Sequence, residues 1–316
     1  MKAPKNILVV VDPTAKEQNC VAKAAALARR SDAEIELFIC DYEQSLSGKP
    51  FFDTDRLRAS RENFLAERRE LLERLAQPLR AEGVEVAVDA AWDNPLHEGI
   101  CRKAASSHAD LLVKDTHYHS LLRRTLITNT DWHLIRSCPI PMLLTKAASW
   151  SDPFEVVAAV DPGHLGDKPA SLDREILAWG QWLTEGHGAL HAVHMHFPSS
   201  LVAASVGVAG VPIAAAGGTA DQLIQQEQEQ RLKDLRELVE PFGIAPERVH
   251  LKLGTAADLL PEEAQQLGAD VVVMGAVSRS RLQTVFVGST AEKVLDRLPC
   301  DVLIIKPLDF KSDLPF

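Results

Sequence analysis

The chain has 316 residues, 46% hydrophobic and 25% charged, with a formal net charge of −10. That is room for two globular domains. It excludes a protein whose affinity rests on Lys and Arg clustered against a nucleic-acid backbone. No apolar run reaches the ~18 residues that a membrane span needs.

The elements are taken in chain order. Residues 5–11 (KNILVVV) are a short apolar run, the pattern of a strand covered on both faces, and end at Asp12-Pro13. The chain enters this strand at once, with no charged-then-apolar leader pattern, which gives a cytoplasmic protein as the expectation. Helical spacing over 17–30 puts Val21, Ala24, Ala25 and Ala28 on one face. A second strand covers 34–41, and a loop with Gly48 and Pro50 covers 42–55. A charged helix over 56–82 has Leu65, Leu72, Leu75 and Leu79 as its stripe and Gly83 as its stop. The third strand is 84–92, and Asn94-Pro95 opens a helix running to 107. The fourth strand is 110–114, a helix covers 130–137, and the fifth strand is 141–146.

Residues 147–153 (AASWSDP) read as a linker, after which the order restarts. A strand at 154–160 ends at Asp161-Pro162, mirroring Asp12-Pro13. Then come a helix (172–185), a strand (189–197), a long charged helix (219–242) stopped by Gly243, a strand (248–253) and a helix (256–267). The chain closes on 270–306, where VVVM and VLII are buried strands. Between them Gly275 ends the first strand, and Gly288-Ser289-Thr290 opens a helix over 291–298.

The two halves are copies. Residues 107–146 align without a gap on 267–306, with identical pairs that include Ala109/Ala269, Asp110/Asp270, Val113/Val273, Thr130/Thr290, Pro139/Pro299, Leu143/Leu303 and Lys146/Lys306. Alternating strands and helices imply a parallel sheet in each half, with ligands at the carboxyl ends of its strands. Asp12, Asp161, Gly275 and Gly288 fall at that edge. A helix opened by Gly288 presents free N–H groups and a dipole that favour phosphate.

An Asp closing the first strand, with a G-x2-G-x9-G-[S/T] loop after the fourth, resembles the universal stress protein family, here as a tandem two-domain member. The resemblance implies two flavodoxin-like α/β domains, 1–146 and 154–307, each a five-stranded parallel sheet flanked by helices and packed as a pseudo-dimer. It implies a cytoplasmic stress-response protein rather than a metabolic enzyme, with ATP or a related nucleotide, and Mg²⁺, as the candidate ligand of the second half only. In the second half Asp161 matches the adenine-side Asp, Val193 lies near the second-strand position bordering adenine, and Gly275, Gly288, Ser289 and Thr290 match the loop. Ser278 stands where the family has its second glycine. If that position needs a positive φ, Ser costs about 1–2 kcal/mol, roughly tenfold in affinity. In the first half Asp12 is kept, but Asp115, Tyr118, Thr128 and Asn129 replace the loop residues, so no ATP is expected there.

Other motifs are weaker. His194 and His196 share a strand face, as do His117 and His119 if that stretch is extended, but neither pair has a third ligand at zinc spacing. The segment 201–218 (LVAASVGVAGVPIAAAGG) is uncharged and apolar. It gives an alternative expectation, a lid over a hydrophobic, acyl-type ligand or a homodimer or protein contact, with Phe51 and Phe52 in the matching loop of the first half. An interaction protein with vestigial clefts is a further alternative. No GxSxG, GKS/T or HExxH motif is present, which leaves slow ATP hydrolysis open without nominating a base. The cysteines Cys20, Cys40, Cys101, Cys138 and Cys300 lack CxxC spacing and read as small core residues of a reducing compartment.

Overall fold

The structure, a computed structural model, describes residues 2–47, 54–119, 124–146, 149–162, 171–198, 220–276 and 293–314. The first half contains β1 (Asn6–Val10), α1 (Asn19–Ser31), β2 (Glu34–Asp41), α2 (Thr54–Ala81), β3 (Val86–Trp92), α3 (Leu96–Ser106), β4 (Leu111–Asp115), β5 (His117–His119), β6 (Arg124–Leu126), α4 (Asn129–Ser137) and β7 (Met142–Thr145). The second contains β8 (Phe154–Ala159), α5 (Ser171–Thr184), β9 (Gly188–His196), α6 (Ala220–Val239), β10 (Val249–Leu253), α7 (Ala256–Gln266), β11 (Val271–Gly275) and β12 (Asp301–Ile305).

One ten-stranded sheet runs through both halves in the order β10-β9-β8-β11-β12-β7-β4-β1-β2-β3. Within each half the five strands are parallel and ordered 3-2-1-4-5. The doubly wound layering is that of the flavodoxin-like expectation, while the order places the reversal between the first and fourth strands. Adjacent residues of one strand go to opposite cores, because both faces are covered. Ile7 and Val9 join the cluster with α1 and α2, whereas Leu8 and Val10 join the cluster with α3 and α4. Both clusters continue through the second half, to Val271 and Val273 on one side and Val272 and Met274 on the other.

The halves meet where β7 and β12 pair antiparallel. Leu143 pairs with Leu303, its own repeat equivalent, so a pseudo-two-fold axis passes between them. The flanking pairs, Leu144 with Val302 and Met142 with Ile304, are mirror copies of each other. Asp301, with no exposed surface, pins the seam. Its carboxylate accepts Lys146 N–H at 2.7 Å, Lys23 Nζ at 2.5 Å and Trp150 Nε1 at 2.8 Å. Arg30, in the last turn of α1, donates to Trp182 and Leu183 carbonyls at the end of α5, 2.9 Å each.

Two stretches differ from expectation. The long helix of the second half ends at Val239, and Glu240–Phe242 tightens into a 3-10 turn. Pro241 explains this, since it has no N–H to continue the helix. Gly243 then closes the turn at φ 63°, the left-handed conformation it was expected to supply. After β4, where only a loop was expected, Tyr118 pairs with Thr125 in the β5–β6 hairpin. Tyr and Thr both suit an extended backbone.

Candidate functional site

Parallel sheets of this kind bind ligands outside the carboxyl ends of the strands, where the strand order reverses. That crevice lies between β8 and β11 in the second half and between β1 and β4 in the first. Of the residues expected in the site, Asp161 and Gly275 stand at neighbouring strand ends and Val193 lies beside them within β9, since Ala159 pairs with both Val193 and Met274. Ser278, Gly288, Ser289 and Thr290 lie outside the described residues, as do Phe51, Phe52 and the segment 201–218.

Each of the three has a defined local role. Asp161 donates its backbone N–H to Asp173 Oδ1 at 2.9 Å. Asp173, buried in the first turn of α5, therefore fixes the bend after β8. The Val193 side chain is fully buried in the core with Val157, while its carbonyl accepts Val160 N–H at 3.0 Å. It thus belongs to the floor beneath the cleft. Gly275 is where α5 comes closest: a Cβ there would meet Leu172 Cδ2 at 2.8 Å. The glycine permits helix-on-strand contact as well as the turn expected of it.

Two histidines complete this edge. His194 is buried, with Nδ1 3.0 Å from the Val160 carbonyl and 3.7 Å from Asp161 Oδ1. A carbonyl only accepts, so Nδ1 carries the proton and Nε2 is left as an acceptor. That Nε2 is buried and has no hydrogen-bond partner among the described residues. Burial pushes His194 below the ordinary histidine pKa, against the pull of Asp161. His196 lies on the same face, ring centroids 6.1 Å apart, with Nε2 3.2 Å from Glu227 Oε1 of α6. Its pKa is also lowered, by burial first, with Glu227 opposing.

The first half fills the equivalent space with its own charges. Asp115, the counterpart of Gly275, accepts Cys20 N–H at 3.0 Å in the first turn of α1 and also bonds Thr145 Oγ1. Cys20 is small where α5 has Leu172, so the helix leaves room for a carboxylate. Lys114, the counterpart of Met274, is buried and reaches Asp131 Oδ1 at 2.9 Å. Asp131 Oδ2 accepts Thr128 N–H at 2.8 Å, closing a capping box at the start of α4. Asp12 holds a turn instead, accepting Thr14 N–H at 2.8 Å and Thr14 Oγ1 at 2.7 Å.

Sequence reasoning missed Asp173, Glu227 and the Lys114–Asp131 pair. The pair has a signal in the repeat: Lys114 faces Met274, and Asp131 faces Ala291, so opposite charges are gained together in one copy. His194 and His196 do share a face, but among the described residues no group of three or more His, Cys, Asp or Glu is placed to hold a metal. No helix among the described residues is long and apolar enough to cross a membrane.

The universal stress protein family model matches residues 4–146 and 156–306. The chain is 28% identical to universal stress protein E of Escherichia coli K12, covering 98% of this chain and 96% of that protein. It is 25% identical to the Haemophilus influenzae homolog, covering 96% and 97%. Among solved structures, a functionally unknown protein from Pseudomonas aeruginosa PAO1 superposes with a TM-score of 0.74 at 28% identity, over 98% of this chain and 94% of that one. Two family matches on two copies of one strand order, joined at a pseudo-dyad, place the chain in the universal stress protein family.

Proposed function

We propose that the chain is a cytoplasmic, non-catalytic ligand-binding regulator whose second half takes ATP or a related nucleotide, with Mg²⁺, and whose first half does not. Residues 1–146 form the closed domain of the pair and 154–307 the open one. The observation that carries this reading is the exchange at one position of the repeat. Asp115 with the Lys114–Asp131 pair occupies the first cleft, whereas Gly275 beside Met274 puts no charge in the second. A carboxylate at the strand end repels phosphate, while an uncharged strand end and a following glycine do not. His194 adds support, because a buried imidazole acceptor without a partner among the described residues favours a ligand that brings a donor.

Calorimetry with ATP and Mg²⁺ tests the reading. The expected result is one site per chain, lost in Gly288→Asp and weakened about tenfold, or 1.4 kcal/mol, in Asp161→Ala. Absence of binding heat at millimolar ATP overturns it, and so does a second site in the first half.

A further inference from the structure

The α7 face of the second half carries a row of side chains that the nucleotide reading does not use. Glu155 of β8, His191 of β9, His250 of β10 and Glu263 of α7 stand in line across three neighbouring strands and onto the helix. Glu155 Oε2 is 3.1 Å from His191 Nε2, His191 Nδ1 is 3.0 Å from His250 Nε2, and His250 Nδ1 is 3.6 Å from Glu263 Oε1. The Glu263 side chain is 6% exposed, and those of His191, His250 and Glu155 are 14%, 19% and 22% exposed. Lys252 Nζ of β10 holds the other Glu263 oxygen at 2.7 Å. Among the described residues, Glu155, Lys252 and Glu263 are the charged groups that face the two rings.

The first half builds the same place with the signs reversed. Phe38 pairs with Val10 and Asp89 as Val193 pairs with Ala159 and His250, so Glu36 is the counterpart of His191 and Asp89 that of His250. Helices α3 and α7 begin at Leu96 and Ala256, which sets Lys103 against Glu263. Lys103 Nζ reaches Glu36 Oε1 at 2.6 Å and Asp89 Oδ2 at 2.9 Å, and Arg69 Nε lies 3.9 Å from Asp89 Oδ1. Two carboxylates there meet two fixed cations. Burial would lower Lys103, but its bonds to Glu36 and Asp89 hold it above the ordinary lysine value. In the second half the two carboxylates, Glu155 and Glu263, meet one fixed cation, Lys252. The imidazoles are the groups that can supply the other positive charge.

Proton counting gives the same answer. A carboxylate only accepts, so the outer links need N–H on His191 Nε2 and His250 Nδ1, and the inner link needs a proton between His191 Nδ1 and His250 Nε2. The neutral pair carries one proton per ring and leaves one link without a donor. One added proton completes all the links. A further one sets N–H against N–H across the 3.0 Å inner contact. In a pair this close, the two uptakes belong to the pair rather than to either ring. His250 stands below the ordinary histidine value through burial first, with Glu263 raising it and His191 and Lys252 lowering it, which opposes the second uptake.

We propose that His191 and His250 form a proton-sensing latch, in which one shared proton ties β8, β9 and the outer strand β10 to α7 and its release loosens that edge. The Lys103 latch of the first half does the same job without responding to pH. Facing two carboxylates and one ammonium, the folded pair binds its first proton more tightly than separate histidines of the unfolded chain. The latch is therefore closed at about pH 6.5 and opens as pH rises through the pair's own titration. Further acid acts on the second uptake, which the fold resists.

The test records proton–nitrogen correlation spectra of the histidine rings in the isotope-labelled full chain, from about pH 5 to 9. The expected result is two uptake steps on the pair, more than about one pH unit apart, with the first above the ordinary value of about 6.5. Glu263→Gln keeps the shape and removes the charge, and should move the first step down by about one unit. Amide hydrogen exchange, corrected for its intrinsic pH dependence, should show β10 and α7 losing about tenfold in protection as the first proton leaves, while β3 and α3 keep theirs. Glu155→Asn, His191→Glu, His250→Asp and Glu263→Lys together install the first-half residues and should abolish that loss. Both rings titrating in one step at the ordinary value overturns the proposal. So does unchanged protection of β10 and α7 across the first step. Both are read on the native chain and need no variant to fold.

Discussion

Lys146 and Lys306 occupy equivalent positions of the repeat and exchange roles across the seam. Lys146 Nζ donates to the Leu295 carbonyl in the second half, and Lys306 Nζ donates to the Ile135 carbonyl in the first. Leu295 and Ile135 are themselves repeat equivalents, so each half supplies the cation at the carboxyl end of the other's last helix. Cations are favoured there by the helix dipole. Both ammonium groups are nevertheless depressed by burial, Lys306 to about 8.

That depression gives a pH dependence with a definite sign. Below pH 8 the folded and unfolded states both carry the Lys306 proton. Between about 8 and the ordinary lysine value of 10.5 only the unfolded state does, so stability rises with pH across that window. The native chain should gain on Lys306→Met by about 3 kcal/mol between pH 7 and 10.5, at 1.36 kcal/mol per pKa unit. Urea unfolding of both proteins along the pH series measures the gap. A gap that stays constant contradicts the assignment.

Asp301 ties Lys23, Lys146 and Trp150 together at the seam. In Asp301→Ala the Lys23 ammonium, only 4% exposed, loses its carboxylate and stays buried. The loss should be about 3–5 kcal/mol. Adding Lys23→Met should recover more than about 1 kcal/mol, because the two residues share one interaction. Strict additivity in the double-mutant cycle would show that they do not.

Acid should weaken the fold through its histidines. His97, His194, His196 and His250 all have pKa values lowered by burial first. His250 sits in a chain running from Glu155 through His191 to Glu263, with the two ring nitrogens 3.0 Å apart. As pH falls past the ordinary histidine value, the unfolded state takes up protons first, so stability present above about pH 6.5 is lost below it. Thermal unfolding from pH 7.5 to 5 should show this fall, and His194→Asn should make it shallower. Parallel curves for the two proteins would remove His194 from the account.

Gly275→Ala should cost about 1–3 kcal/mol, the usual price of overpacking, because the added methyl meets Leu172. Leu172→Ala in the same chain should relieve part of that cost. Denaturant midpoints of the single and double variants decide it; equal losses with and without Leu172 would place the strain elsewhere.

Much of this fold is legible in the sequence. Most strands of the large sheet are short apolar runs, so its five parallel strands per half follow from local pattern, whereas the β5–β6 hairpin does not. The gapless match of Lys146 to Lys306 exposes the repeat. What the pattern does not carry is pairing between distant residues. That Lys114 meets Asp131, that Asp115 meets the first turn of α1, or that His194 leans on the Val160 carbonyl depends on the packed sheet. Gly275 shows the limit most clearly: a glycine at a strand end reads as a turn or phosphate residue, and its contact with Leu172 becomes visible only in three dimensions.

The pairing of β7 with β12 has a consequence for assembly. It uses up, inside one chain, the fifth-strand edges through which two separate five-stranded units could join. Among the described strands, the remaining edges of the sheet belong to β3 and β10, at opposite ends. A second copy of the chain therefore has to extend the sheet at those ends or dock on its helical layers, and association by the internal seam is closed to it.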